Sequence, residues 1–343
     1  MELYEAPLPE LQAASSFVRK SLNGDRLYYN RNFHIEPSNI CTHRCKFCSY
    51  RRDNAAQPGA WSMRLEEILP YCQRKFEPGM TEIHVVGSVH PDQHFDYYES
   101  IVRIVRDFAQ EHGTPERPVT VKAYTAVEID DMARFNRMTA EDCLRQLQEA
   151  GLETMPGGGA EIFAPAVRAQ ICPDKCTGER WLDIHRTAHR MGIPTNCTML
   201  FGHMESRADR VDHLLALREL QDETGGFNAF IPLQFKARHN ALSALGEAGR
   251  EEVLRTFAIA RLALDNIPHI KAYWPMLGKE LALEAMAWGA DDLDGTINDS
   301  TRIYSLAGAK EQNPALSVSE LQELATASGW KAVERDSFYR IIS

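Results

Sequence analysis

The feature that most constrains this chain is a regular alternation of short apolar segments with longer stretches of helical pattern. Candidate strands fall at 33–37, 82–87, 119–125, 152–155, 195–200, 227–233, 270–274 and 291–293, eight in all. Helical pattern fills 62–76, 95–110, 139–150, 180–190, 207–222, 251–265 and 279–288. Ser62 and Thr139 supply N-cap signals, and Gly151, Gly192, Gly225-Gly226, Pro268 and Gly289 supply stops. Strand and helix repeated in this way predict an α/β fold: a single TIM-like β/α barrel of eight parallel strands with helices outside. One domain covers 1–343, with 1–30 as an N-terminal helical addition around a helix at 10–21, and 297–343 as a C-terminal one around 317–327. A doubly wound open sheet stays open as an alternative, because closure is invisible in a sequence. A glycine-rich turn after the first strand would favour it, but that strand runs instead into Ser38-Asn39-Ile40-Cys41.

The chain carries 48 acidic against 38 basic side chains, a formal charge of −10. That balance argues against a nucleic-acid partner held by its phosphates. No uninterrupted apolar run approaches the roughly 18 residues of a membrane span, and the first residues lack both a basic region and an apolar core. The expectation is a soluble, cytoplasmic protein with no membrane partner.

Of eight cysteines, Cys41, Cys45 and Cys48 share one short segment, Cys41-Thr-His-Arg-Cys45-Lys-Phe-Cys48. One loop at these spacings can wrap an iron–sulfur cluster and give it three thiolates. Electron-transfer ferredoxins close their clusters with four, so a three-cysteine loop leaves one iron open to an exogenous group. A structural zinc site completed by His43 or His34 is the bland alternative. Cys172 and Cys176 read as incidental, and Cys72, Cys143 and Cys197 as core residues.

In a barrel of this kind the strands' C-terminal ends carry the chemistry. Gly87 and Ser88 end the second strand, where backbone can approach a ligand or simply turn. Glu128 follows the third at a helix start, equally suited to capping and to ligand contact. Gly157-Gly158-Gly159 and Glu161 follow the fourth and favour close approach by a nucleoside or carboxylate. His203 follows Gly202 at the end of the fifth, divided between a substrate contact and a structural histidine. Phe201, Phe230, Phe235, Tyr273 and Trp274 are equally consistent with a dry pocket and with packing.

The C-x3-C-x-Phe-C loop directly after the first strand resembles the radical S-adenosylmethionine enzymes. The strings His34-Ile-Glu-Pro-Ser-Asn-Ile-Cys41, Lys122-Ala-Tyr-Thr-Ala-Val-Glu128, Pro156-Gly-Gly-Gly-Ala-Glu-Ile162, Gln221-Asp-Glu-Thr-Gly-Gly-Phe-Asn228 and Asp292-Leu-Asp-Gly-Thr296 are similar to the aminofutalosine synthases of menaquinone biosynthesis. The resemblance implies a 4Fe–4S cluster on Cys41, Cys45 and Cys48, with S-adenosylmethionine as co-substrate. It implies a reaction in which the adenosyl radical adds to 3-(1-carboxyvinyloxy)benzoate, the aryl group migrates and a carboxylate is lost. Phe47, Gly87 and Ser88 would then contact adenine and methionine, Glu128 and Glu161 the ribose or ammonium group, and Lys175 the methionine carboxylate. His203 would serve the substrate. The implied partners are a small aromatic dicarboxylate and a reducing donor of flavodoxin or ferredoxin type. Lys122, Lys175, His203, Lys236, Arg238 and Lys271 are the cations available to the two substrate carboxylates. A hydrogen-abstracting relative such as dehypoxanthine futalosine cyclase, and a non-enzymatic iron–sulfur electron carrier, remain as alternatives.

Overall fold

Residues 32–35, 82–85 and 120–123 read polar–apolar–polar–apolar, and a strand puts alternate residues on opposite faces. In the computed structural model, which describes residues 1–342, the apolar members Phe33, Ile35, Ile83, Val85, Val121 and Ala123 are fully buried in the main hydrophobic core. Their polar neighbours occupy the other face. The strands are β1 (Arg26–Asn30), β2 (Asn32–Ile35), β3 (Glu82–Val85), β4 (Thr120–Ala123), β5 (Thr195–Phe201), β6 (Phe227–Gln234), β7 (His269–Ile270), β8 (Asp292–Gly295) and β9 (Lys331–Glu334).

All pairings between these strands are parallel, but they do not form one continuous eight-stranded ladder. Among the described residues they make three sheets, in the orders β8-β1-β9, β2-β3-β4 and β5-β6-β7. Isolated bridges join them: Lys122↔Thr154 and Met155↔Thr195 between the second and third, and Lys271↔Asp292 between the third and first. Only Arg31 separates β1 from β2. The strand expected at 152–155 shrinks to those bridges because Pro156, without an N–H, and three glycines follow it. The strand expected at 270–274 stops at Ile270, and a short helix, Trp274–Leu277, opens with Pro275 at its first turn.

The terminal additions also differ from expectation. Besides the helices Leu8–Asn23 and Val318–Ala327, each contributes a strand, β1 and β9, and these pair with each other. Beyond β9, fully buried Arg335 meets Asp292 of β8 (Nε–Oδ2 2.8 Å), and Ser337 Oγ donates to Glu82 of β3 (2.7 Å). Tyr339 stacks on His269 at 3.6 Å. The C-terminal segment thereby covers the N-terminal ends of the strands, which leaves the opposite ends for a site. There the helices Ala126–Phe135 and Arg207–Thr224 begin, capped by Thr125 and Ser206. No helix among the described residues is long and apolar enough to cross a membrane.

Candidate active site

The cysteine loop follows β2 and is held by bonds from segments far away in sequence. The Thr42 amide donates to Val89 O (2.9 Å), the Lys46 amide to Ile171 O (2.8 Å) and the Ala241 amide to Lys46 O (2.8 Å). The Arg44 amide donates to Asp174 Oδ2 (3.0 Å), and Ser49 Oγ to Arg238 O (2.7 Å). None of the three cysteines is in a disulfide. Cys45 is buried, Cys41 and Cys48 are half-buried, and all three line one cavity. Burial pushes the Cys41 and Cys45 thiols up.

Phe47, Gly87, Ser88, Glu128, Glu161 and Lys175 line the same cavity. The Glu161 carboxylate accepts from Lys175 Nζ (Oε1, 2.6 Å), and Lys175 lies 5.4 Å over the Phe47 ring. Burial alone would lower the Lys175 ammonium, but Cys45 and Glu161 hold it well above its ordinary value. Glu161 has φ of +48°, a left-handed conformation that non-glycine residues rarely adopt and that clusters at functional sites.

Glu128 completes a capping box: Oε2 accepts from the Thr125 amide and hydroxyl (both 2.8 Å) while Oε1 accepts from the Gly87 amide (3.2 Å). It therefore ties the segment after β3 to the helix that follows β4, as well as facing the cavity. Burial raises its carboxyl. Ser88 Oγ is engaged by the backbone carbonyls of Ser38 (2.9 Å) and Ile40 (2.7 Å), fixing the approach to the cysteine loop. Gly157 packs against β5 so closely that a Cβ would lie 2.6 Å from the Cys197 backbone; its glycine serves chain packing, while Gly158 and Gly159 face the cavity.

His203 does not line this cavity. Its Nε2 lies 3.1 Å from Leu200 O, and Nδ1 lies 3.1 Å from Glu205 Oε2 without hydrogen-bond geometry. The tight turn through Gly202, with φ of +88°, folds the ring back on its own loop. Of the two readings of this strand-end histidine, substrate contact and structural residue, these bonds fit the structural one. The anticipated substrate cations are also largely spoken for: Lys122 pairs with Glu82, Lys271 with Asp294 (2.7 Å), Lys236 with Glu247 (3.1 Å) and Lys175 with Glu161.

Below the cysteine loop a second cavity opens inside the strands, and the two share Val86, Thr125, Gly158, Leu233, Ile303 and Tyr304 as walls. Its floor carries the inward residues His34, His84 and Lys122, which pair in register across β2, β3 and β4. Sequence reasoning considered His34 only as a possible zinc ligand and missed His84 and Tyr304. The signal was the polar half of the alternation in Asn32-Phe-His34-Ile and Glu82-Ile-His84-Val, whose apolar half faces the helices.

The donor set suits a cluster. Three thiols stand on one pinned loop, and His43, the candidate fourth ligand of a zinc site, directs Nε2 to Asp131. His34 lies in the inner cavity. Among the described residues no three Cys, His, Asp or Glu side chains converge as ligands of a single metal ion would, whereas a cluster takes each thiolate on a separate iron.

The family model of the radical SAM superfamily matches residues 35–217, and that of the CofH/MqnC C-terminal region matches 224–342. The aminodeoxyfutalosine synthase of Thermus thermophilus is 42% identical over 97% of this chain and 88% of its own length. The chain belongs to the aminodeoxyfutalosine synthase family of radical SAM enzymes. Another aminodeoxyfutalosine synthase, from Streptomyces coelicolor, is 38% identical over 99% of this chain and 88% of its own. The solved structure of methylornithine synthase covers 96% of this chain and 92% of its own with a TM-score of 0.73, at 15% identity, and so shares the fold. Radical SAM enzymes use a 4Fe–4S cluster and S-adenosylmethionine.

Proposed function

We propose that this radical SAM enzyme joins the adenosyl group of S-adenosylmethionine to 3-(1-carboxyvinyloxy)benzoate, with aryl migration and decarboxylation, to give 6-amino-6-deoxyfutalosine for menaquinone biosynthesis. The observation that supports this reading is the pair of adjoining cavities with shared walls, one under the cysteine loop and one within the strands, which offers room for a cofactor beside a small aromatic acid. When bound, the cluster supplies the electron that cleaves the sulfonium and frees the adenosyl carbon to react.

Cys41, Cys45 and Cys48 hold the cluster. Lys175, kept protonated beside Glu161, takes the methionine carboxylate as a charge-assisted partner. Glu161 and Glu128 face the ribose or ammonium group, and Phe47 with Gly87 and Ser88 bounds adenine and methionine. Leu200, Leu233, Phe235 and Tyr304 line the cofactor cavity with carbon and exclude water from it. The three sheets act as an interrupted eight-position barrel, one domain over 1–343. The enzyme works in the cytoplasm, on a small aromatic dicarboxylate, with a one-electron donor of flavodoxin or ferredoxin type and with neither nucleic acid nor membrane as partner.

Anaerobic turnover with the enol ether, S-adenosylmethionine and dithionite, read by mass spectrometry, tests this. An adenosylated adduct without stoichiometric 5′-deoxyadenosine is expected. Stoichiometric 5′-deoxyadenosine and no adduct would move the chain to the hydrogen-abstracting relatives, and no cleavage at all to an electron carrier. Cys41→Ala, Cys45→Ala and Cys48→Ala should each abolish cleavage, while Cys72→Ala, altering a core thiol, retains it.

A further inference from the structure

The inner cavity holds about 140 Å³, and its two cations are already matched. Lys122 pairs with Glu82 and Lys271 with Asp294, while behind them Arg335 pairs with Asp292. No ammonium in this wall is free to neutralise an incoming anion. What stands unmatched are imidazoles. His34 is 4% exposed, and neither of its ring nitrogens has a hydrogen-bond partner among the described residues; His84 Nε2 has none either. The rings meet edge to face at 4.6 Å. Buried polar atoms are almost always paired, so three unpaired nitrogens at one cavity floor point to a ligand that completes them. The opposite wall, Ile231, Leu233, Tyr273 and Tyr304, is carbon-rich.

We propose that His34 and His84 form the subsite for the ring carboxylate of the substrate, each donating an N–H to it, with the aromatic ring against the Tyr273 and Tyr304 wall. The inference rests on the reaction proposed above and adds which residues read the benzoate end. Burial holds His34 down to about 4 and His84 well below its ordinary value, so both rings are neutral donors at pH 7. Glu82 and Asp294 pull both values up; Lys122 and Lys271 push His34 down, and His34 and Lys122 push His84 down. A subsite of neutral donors in a charge-balanced wall recognises a carboxylate by hydrogen-bond geometry rather than by net charge, and that favours a flat aryl carboxylate over other anions.

Calorimetric binding to the reconstituted enzyme without reductant separates this site from the reaction. 3-(1-Carboxyvinyloxy)benzoate should bind the parent and bind His34→Leu and His84→Leu roughly 10- to 100-fold more weakly, the loss of a hydrogen bond to a charged group. His34→Asn, which keeps a donor, should recover part of the difference. S-adenosylmethionine binding should be unchanged in all three. The ring-carboxylate methyl ester should bind the parent at least tenfold more weakly than the acid, a comparison that needs no variant to fold. Equal affinity of acid and ester, or no binding of the acid, overturns the subsite. Binding with the expected differences but no adduct once reductant is added overturns the reaction and leaves the carboxylate site standing.

Discussion

The sheet β2-β3-β4 and the sheet β5-β6-β7 turn opposite characters toward the same interior. In the first, the inward row is Asn32 and His34, Glu82 and His84, Thr120 and Lys122, nearly all ionisable or strongly polar. In the second, Asn196 and Thr198 give way to Leu200, Ile231 and Leu233. Outward, both are apolar and sealed: Ile83 and Val85 in one, Met199 and Phe230 in the other, all fully buried. The outward rows hold the fold together, so the inward rows are free to differ. The proposed aromatic dicarboxylate would lay its ring carboxylate on the first row and its ring against the second.

The largest way to break the contrast is Lys122→Met, which leaves Glu82 buried without its cation. Burial alone would raise the Glu82 carboxyl, yet Lys122, Lys271 and Arg335 hold it well below its ordinary value. Removing one partner of a buried pair costs about 3–5 kcal/mol. Urea unfolding should show that loss, with much of it recovered in Glu82→Gln/Lys122→Met; a single variant as stable as the parent would mean the polar row is not built around this pair.

At the seam between the two sheets, Glu161→Gln should weaken S-adenosylmethionine binding roughly 10- to 100-fold, from about 1.5–3 kcal/mol for a charged hydrogen bond. Equilibrium binding measures it, and unchanged affinity would reduce Glu161 to a structural partner of Lys175.

Acid sharpens the contrast further. His34, with its value lowered by burial to about 4, binds fewer protons folded than unfolded between about pH 6.5 and 4. Its neutral burial is therefore fully tolerated above pH 6.5, and stability falls as the pH drops from there toward 4. Each such histidine takes away about 1 kcal/mol by pH 5.5. His84 in the same row, and His185, His189 and His213 outside it, shift in the same direction. Unfolding midpoints at pH 7 and 5.5 should differ accordingly, and less so in His34→Phe.

The smallest effect belongs to the second sheet's strand end. His203→Ala removes one bond to Leu200 O, worth about 1 kcal/mol or less, and should leave the ratio of adduct to free 5′-deoxyadenosine as in the parent. A shift of that ratio toward 5′-deoxyadenosine would assign His203 to the substrate side of the pocket.

What could be read in advance was local. The cysteine spacing, the glycine run and the strand ends each sit within a few residues, and the cavity gathers Phe47, Gly87, Ser88, Glu128, Glu161 and Lys175 as those strings suggested. What escaped depends on which face of a strand is interior. His34, considered only as a zinc ligand, and His84, not singled out at all, escaped as a pair because only closure of the chain around them makes their side the inside. β1 and β9 escaped because each is stabilised by the other across 300 residues of sequence, and Pro156 shortened the fourth strand in a way that alternation alone does not show. His203 stands at a strand end as its position suggested, and its ring bonds to Leu200 O of that strand, which alternation alone does not show.

The cysteine loop is fastened to Val89, Ile171, Asp174, Arg238 and Ala241 by bonds that involve no thiol. Loops of small metal domains take shape only around their ion; this one is shaped by the rest of the polypeptide. A loop held in this way should keep its shape without iron, so limited proteolysis should cut the iron-free and iron-loaded proteins at the same places, and a new cut within 41–48 on iron removal would mean that the cluster shapes it.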